Sequence, residues 1–351
     1  MHIPTPISSV HHARPVDVRR RTLRIVGALA AASLAAVLFA CSIGSVPLTP
    51  GELLQAAGAL LGFSDVSLNA TLLELRLHRA LVAFGTGASL ALAGVMMQAL
   101  LRNPLADPYV LGISSGAAVG ALGAMLFGAL AWVVDAAALG GAVIVSALLF
   151  LLAQRDLRGG LPSDSNATSL LLTGVILAAG CGALITLMLS IAPDNRLRNM
   201  VFWLIGDLSG AQLRWMPWLV LGLAVLYALR SARGINLMAQ HAEGAWTLGI
   251  RVSALRQGLF LSGAALAASA VTSAGSIGFV GLIIPHACRF AFGPDHRLLL
   301  PAAALAGGGF LVLADTLART IVAPQQLPVG VITALIGVPV FLMQLHHIRK
   351  K

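Results

Sequence analysis

The chain has 351 residues, 58% of them hydrophobic and 10% charged, with a mean hydropathy of +0.89 and 37 glycines. Soluble domains are nearer half apolar and a quarter charged, so a soluble globular protein is excluded, and disorder is excluded by the same apolar excess. The net charge of +10 argues against nucleic acid by its distribution, because the arginines punctuate the ends of apolar runs and form no single patch.

The apolar runs are continuous, not alternating segments of ~10 residues, which argues against a transmembrane β-barrel. About ten spans of ~20 residues fit the length. The expected fold class is therefore an all-α polytopic membrane protein. Residues 1–24 read as a basic cytoplasmic N-terminal tail, and 25–348 as a single transmembrane domain. The first span is Ile25 to Ile43. Residues 44–75 are amphipathic and too polar to cross, so they are expected to lie at the outer surface. Further spans read as 80–101, 109–131, 138–153, 169–191, 214–230, 255–275, 277–291, 299–319 and 329–347. With this count, 17 of the 23 Lys and Arg residues fall on the side of both termini. Cytoplasmic positive charge then puts both termini in the cytoplasm.

The longest connection on that side is 231–256, with helical apolar spacing at Leu237, Met238, Ala242, Trp246 and Leu248. Apolar content with little charge suggests a docking surface. A faint internal echo links Gly87-Ala-Ser-Leu90 with Gly263-Ala-Ala-Leu266. Five spans separate them, an odd number, so the two halves would form an inverted repeat.

Segment 76–120 is the most informative. Its glycines and alanines permit close helix approach in lipid. Asn103-Pro104-Leu105-Ala106-Asp107-Pro108 breaks the helix, since each proline removes a donor and disfavours helix before it. Three cysteines lie far apart in apolar runs with no metal-ligand or redox spacing, so no metal site is expected. No GxxxxGK[ST] loop is present, so any ATP and magnesium belong to another subunit. Asp315 is an acid inside a span, and Arg319, one turn on, is its natural partner. His286 reads as a packing histidine beside Arg289.

The runs RLHR, GASLALAG, RNPLADP, LGISSGA, FWLIGDLSG (202–210), AWTLGI (245–250), GSIGFVGLIIPHACR (275–289), DHRLLLP (295–301) and LPVGVITALIGVPVF (327–341) occur in that order. In them the chain resembles permease subunits of ABC importers for ferric siderophores, haem and cobalamin. The resemblance implies ten helices per subunit, a homodimer around a central pathway, two cytoplasmic ATPases and a periplasmic binding protein, in a bacterial inner membrane. It implies no chemistry in this chain itself. It places binding-protein docking at Arg76, Arg79 and Arg319, with His78 where the family has proline and Gln326 where it has glutamate. It places ATPase coupling at Ala242, Glu243, Leu248 and Gly249, to which the apolar spacing adds Leu237. A gate falls at Ala167, Thr168 and Ser169, which read as the loop before the fifth span and equally as a helix cap. The translocation and helix-break motif comprises Gly94, Gln98, Asn103, Pro104, Asp107 and Pro108. The competing reading is a stand-alone ion-coupled transporter, for which Asp315 would be the ion-carrying acid.

Overall fold

A computed structural model of the chain describes residues 15–44, 46, 48–60, 67–154, 157, 164–240 and 248–349. Among the described residues the structure is all-helical. The α-helices are α1 (Pro15–Ser42), α2 (Pro50–Leu60), α3 (Leu68–Leu101), α4 (Ile113–Leu126), α5 (Ala131–Leu152), α6 (Asp164–Ile191) and α7 (Asp194–Ile205). They continue with α8 (Trp215–Gln240), α9 (Val252–Ala274), α10 (Val280–Phe292), α11 (His296–Thr320) and α12 (Val329–Arg349). A 3-10 turn, Pro108–Leu111, precedes α4.

Seven helices (α1, α3, α5, α6, α8, α9 and α11) are long and apolar enough to cross a membrane, and α4, α10 and α12 are shorter apolar helices. These ten coincide in order with the ten expected spans. The two left over, α2 and α7, are the short amphipathic pieces. Thr49 and Glu52 form a capping box that starts α2: the Thr49 N–H donates to Glu52 Oε2 at 2.7 Å and the Glu52 N–H returns to Thr49 Oγ1 at 3.3 Å. The bond from the Thr49 backbone holds the Glu52 carboxyl below its usual range.

Three expected boundaries are corrected. The second span was expected at 80–101, but α3 begins at Leu68 and runs 34 residues, about 51 Å at 1.5 Å per residue. A hydrocarbon core of ~30 Å cannot contain it. Its first turns are too polar for hydropathy to register but are good helix formers, and Ser67 caps them by accepting from the Ala70 N–H. The long connection at 231–256 shrinks to residues between Gln240 and Val252, because α8 continues through Leu237. Residues 167–169 lie inside α6, whose first turn begins at Asp164.

The core is centred on α3, buried on nearly all sides from Val82 to Leu101. In lipid no hydrophobic drive brings helices together, so close packing of small residues must do it. A β-carbon at Gly87 would overlap the Gly307 carbonyl of α11, and one at Gly94 would overlap the Gly281 carbonyl of α10. A similar seam joins α4 to α5, where Gly116 and Gly141 abut each other's backbones. Helix α9 crosses α3 antiparallel: Met97 sits against Gly263, while Val82 to Ser89 share a small cavity with Ser269 to Ser273. The two echo segments therefore run in opposite senses, as an inverted repeat requires.

This packing makes a specific expectation. Gly87→Val must push α3 and α11 apart and is expected to cost about 1–3 kcal/mol or more, lowering the melting temperature in detergent. Gly140→Val, in α5 with no atom within 4 Å of its β-carbon, is expected to stay within about 0.5 kcal/mol. Equal melting temperatures for the two variants would refute this account of the core.

Candidate functional site

At one end of the bundle three arginines cluster, two of them on the C-terminus of α1. The last turn of any helix leaves carbonyls without intrahelical donors. Here Arg76 donates to the Cys41 carbonyl at 3.1 Å and to those of Ser42 and Val46, and Arg319 donates to the Ala40 carbonyl at 3.2 Å. The negative end of the α1 dipole thus faces two guanidiniums. Asp315, only 1% exposed, sits between the other groups. Arg79 grips it through Nε at 3.0 and 3.1 Å and through Nη2 at 2.8 Å, and Arg319 Nε lies 3.2 Å from its other oxygen. The remaining Arg79 donor reaches Gln326 Oε1 at 2.8 Å.

The expected pair between Asp315 and Arg319 is therefore present, but the main partner is Arg79, 236 residues away. No periodicity could have signalled that pairing, since it joins two helices far apart in sequence. Of the three arginines expected at a docking surface, Arg76 and Arg319 are 8% and 6% exposed, with their donors turned inward. Arg79 is the partly open member, its side chain 14% exposed. Two clefts flank the cluster: one of about 490 Å³ lined by Arg76, Arg79, Leu213 and Gln326, the other of about 560 Å³ lined by Asp135, Arg198, Phe202, Trp203 and Gln326. Gln326 lines both, so they adjoin there.

At the other end of α3 the helix-break motif forms a compact turn. Arg102 adopts the left-handed conformation (φ 49°) and ends the helix, its N–H returning to the Gln98 carbonyl. Asn103 Oδ1 accepts from Leu105 N–H at 2.9 Å, and Asp107 Oδ1 accepts from Tyr109 N–H at 2.7 Å, capping the 3-10 turn. Pro104 and Pro108 supply the residues that need no donor partner. Pro108 packs on Gly281, which itself touches Leu90 and Gly94, so the chain folds back alongside α3. Gln98 ties the turn to α10, donating to the Leu282 carbonyl at 3.4 Å and accepting from Arg289 Nη2 at 2.9 Å.

The expected coupling residues divide. Leu237 lies within α8, half-buried against the core, so its helical spacing reflects the packing of α8 on its own bundle. Leu248 is 67% exposed on a turn that Gly249 makes with φ +78°, a conformation that suits glycine. Ala242, Glu243 and Trp246 lie outside the described residues. Of the gate residues, Thr168 and Ser169 are exposed on the second turn of α6, and the Ser169 carbonyl accepts from Thr173 Oγ1. Ala167 precedes them on the same helix. Among the described residues no group of three or more His, Cys, Asp or Glu is arranged to hold a metal.

Asp315→Asn removes the one carboxylate shared by two nearly buried guanidiniums and is expected to cost about 3–5 kcal/mol. Arg79→Gln should cost less, because Arg319 keeps Asp315 paired. Thermal unfolding in matched detergent compares them, and equal losses would refute the shared-carboxylate arrangement.

Residues 32–347 match the model of the FecCD transport family. A cobalamin import system permease of Halobacterium salinarum is 42% identical over 275 residues, 76% of this chain and 71% of that one. A vitamin B12 import system permease of Salmonella paratyphi A is 35% identical over 329 residues, 92% of this chain and 95% of the relative. A solved structure described as an inward-facing ABC transporter of metal-chelate type superposes with a TM-score of 0.78 at 29% identity, covering 92% of this chain and 99% of that one. Sequence, helix order and superposition agree: the chain belongs to the FecCD transport family, as a multi-pass ABC importer permease.

Proposed function

We propose that this permease carries cobalamin or an iron chelate, working as a homodimer in a bacterial inner membrane with two cytoplasmic ATPases and a periplasmic binding protein. The observation that carries the reading is the extent of likeness to cobalamin permeases, which runs through 92% of the chain in one case. Both termini lie in the cytoplasm on this reading, and the Arg79 end of the bundle faces the periplasm. Asp315 does not favour an ion-coupled transporter, because both of its oxygens are already engaged by arginines. Energy then comes from ATP and magnesium on the partner ATPases.

Docking is assigned to the Arg79 end, with Arg79 as the solvent-facing member and Arg76 and Arg319 holding the platform beneath it. Arginine suits an acidic partner because it is permanently charged and bidentate toward carboxylate. Arg79→Gln is expected to slow binding-protein association at low salt, with the difference shrinking as salt rises. An unchanged association rate at low salt would remove Arg79 from the interface.

Coupling is assigned to the turn at Leu248 and Gly249, with Ala242 and Glu243 beside it in sequence, and the gate to Ala167, Thr168 and Ser169. An exposed leucine at a tight turn offers an ATPase a compact apolar knob. Proteoliposomes holding permease, ATPase and binding protein are expected to take up cyanocobalamin or ferrichrome only with ATP. Leu248→Asp should abolish ATPase co-purification and uptake, since a buried unpaired charge costs several kcal/mol. Uptake that persists on an ion gradient with an inactive ATPase would overturn the importer reading.

A further inference from the structure

Hydroxyls inside the long helices of this chain commonly bond to their own backbone. Ser146, Thr186, Thr272 and Thr316 each donate to the carbonyl four residues back, at 2.7–2.9 Å. That bond lets a polar group sit in an apolar helix without a partner elsewhere. Thr86 and Ser89 of α3 make no such bond. They are 4% and 2% exposed, and neither hydroxyl has a hydrogen-bond partner among the described residues. A buried hydroxyl left in that condition costs free energy.

Both residues line one narrow fissure between α3, α8 and α9. Spaced three apart, they share a face of α3, and Ser269 and Ser273, spaced four apart, line the fissure from α9. Trp218 of α8 forms a third wall. It lies over Gly85, with Nε1 3.8 Å from where a β-carbon would stand, so the indole N–H meets α3 one turn from Ser89. Gln212, which also lines the cleft beside Arg79, is exposed at the mouth. The Thr86 and Ser89 oxygens are unpartnered yet not walled off, in contrast to Tyr109 Oη, which is both. The fissure is the space onto which they open.

Its chemistry selects the occupant. The volume is about 10 Å³, close to the smallest that holds one water molecule. The lining contains no carboxylate, which a cation would need. Its one charged residue, Arg214, is already paired with Asp135 at 2.5 Å, so no anion is called for. What remains is a neutral set of donors and acceptors. Ser273 gives its proton to the Ser269 carbonyl at 2.9 Å, which leaves its oxygen free to accept. The Ser269 hydroxyl and the Trp218 N–H have no partner among the described residues.

We infer that one ordered water molecule is bound here, bridging Thr86 and Ser89 of α3 to Ser269 and Ser273 of α9. Water both donates and accepts, which suits hydroxyls that keep both capacities and an indole that only donates. A buried water makes about three hydrogen bonds, and this lining offers enough groups for that. Helices α3 and α9 carry the two echo segments, so the inverted pair is joined through water on this face and by direct contact where Met97 sits against Gly263.

The test compares the full-length permease in detergent with Thr86→Val, Ser89→Ala, Ser269→Ala and the double serine variant by thermal unfolding. With water in place, Thr86→Val and Ser89→Ala each remove a bond from it and are expected to lower the melting temperature by about 1–3 °C. In a dry fissure the same changes delete an unsatisfied hydroxyl, so a melting temperature that rises or holds overturns the proposal. Ser89→Ala and Ser269→Ala act on one shared water, so the double variant should lose less than the sum of the two; additive losses count against it. A density map of the assembled transporter fine enough to show ordered water is expected to hold one peak within about 3.2 Å of Ser89 Oγ and of a serine oxygen of α9. Such a map without that peak removes the site. Stabilisation when sodium replaces choline at fixed ionic strength, present in the unaltered permease and lost in Ser89→Ala, would assign a cation in place of water.

Discussion

Everything in this structure depends on how closely α3 can be approached. It is surrounded by α1, α9, α10 and α11, and its buried stretch has neighbours on nearly every side. A helix in that position can be packed tightly only if backbone meets backbone, because lipid supplies no hydrophobic drive to press larger side chains together. Gly87 against Gly307 and Gly94 against Gly281 meet that condition on two faces of the same helix. Dispersion between close-packed backbones is individually weak and collectively large. The same contacts fix the rotation of α3, and that rotation decides where its polar ends point.

The two ends solve one electrostatic problem in different ways. At the Arg79 end the excess positive charge is met inside the chain, by Asp315 and by the free carbonyls at the end of α1. A helix terminus acts here as a counter-charge, so one carboxylate suffices for a cluster of three arginines. Residues 40–42 are thereby tied to α3 and α11, which locks the first span onto the central helix. At the opposite end Arg289 finds only a neutral amide. The asymmetry is chemical: one end has its charges internally satisfied and the other keeps donors in reserve.

Much of this was legible in sequence, for definable reasons. Hydropathy marked all ten apolar helices because each carries a continuous apolar run, and the glycine-rich pattern at 85–94 marked the tightly packed helix. Asn103 to Pro108 declared a break because two prolines cannot continue a helix. What sequence could not show was distance. The partner of Asp315 was expected one turn away at Arg319, where helical spacing puts it, whereas Arg79 reaches it from another helix. Likewise Asn236 and His296, 60 residues apart, meet only because α11 begins at the level where α8 ends. The outer extension of α3 was missed because hydropathy reports lipid, not helix. Leu237 misled in the opposite sense: its helical spacing was genuine, but it records contact with its own core.

The break at 102–112 lies between two groups of helices that also meet directly, where Phe150 of α5 packs on Phe260 of α9 with ring centroids 5.9 Å apart. One group is the dense bundle around α3. The other is α4, α5 and α6, in which α4 and α5 share the seam at Gly116 and Gly141, and α6 is the least buried of the long apolar helices. Between them runs the folded-back segment, with Pro108 against Gly281 on the bundle side and Leu111 against Gly174 of α6 on the other. Ser114 adds a hydrogen bond to Ser276 at 2.8 Å across the same junction. Within the segment, Asn103 and Asp107 cap the backbone N–H groups of Leu105 and Tyr109. A junction that meets both groups at glycines lets each approach its backbone closely, Gly281 on the bundle side and Gly174 on the other.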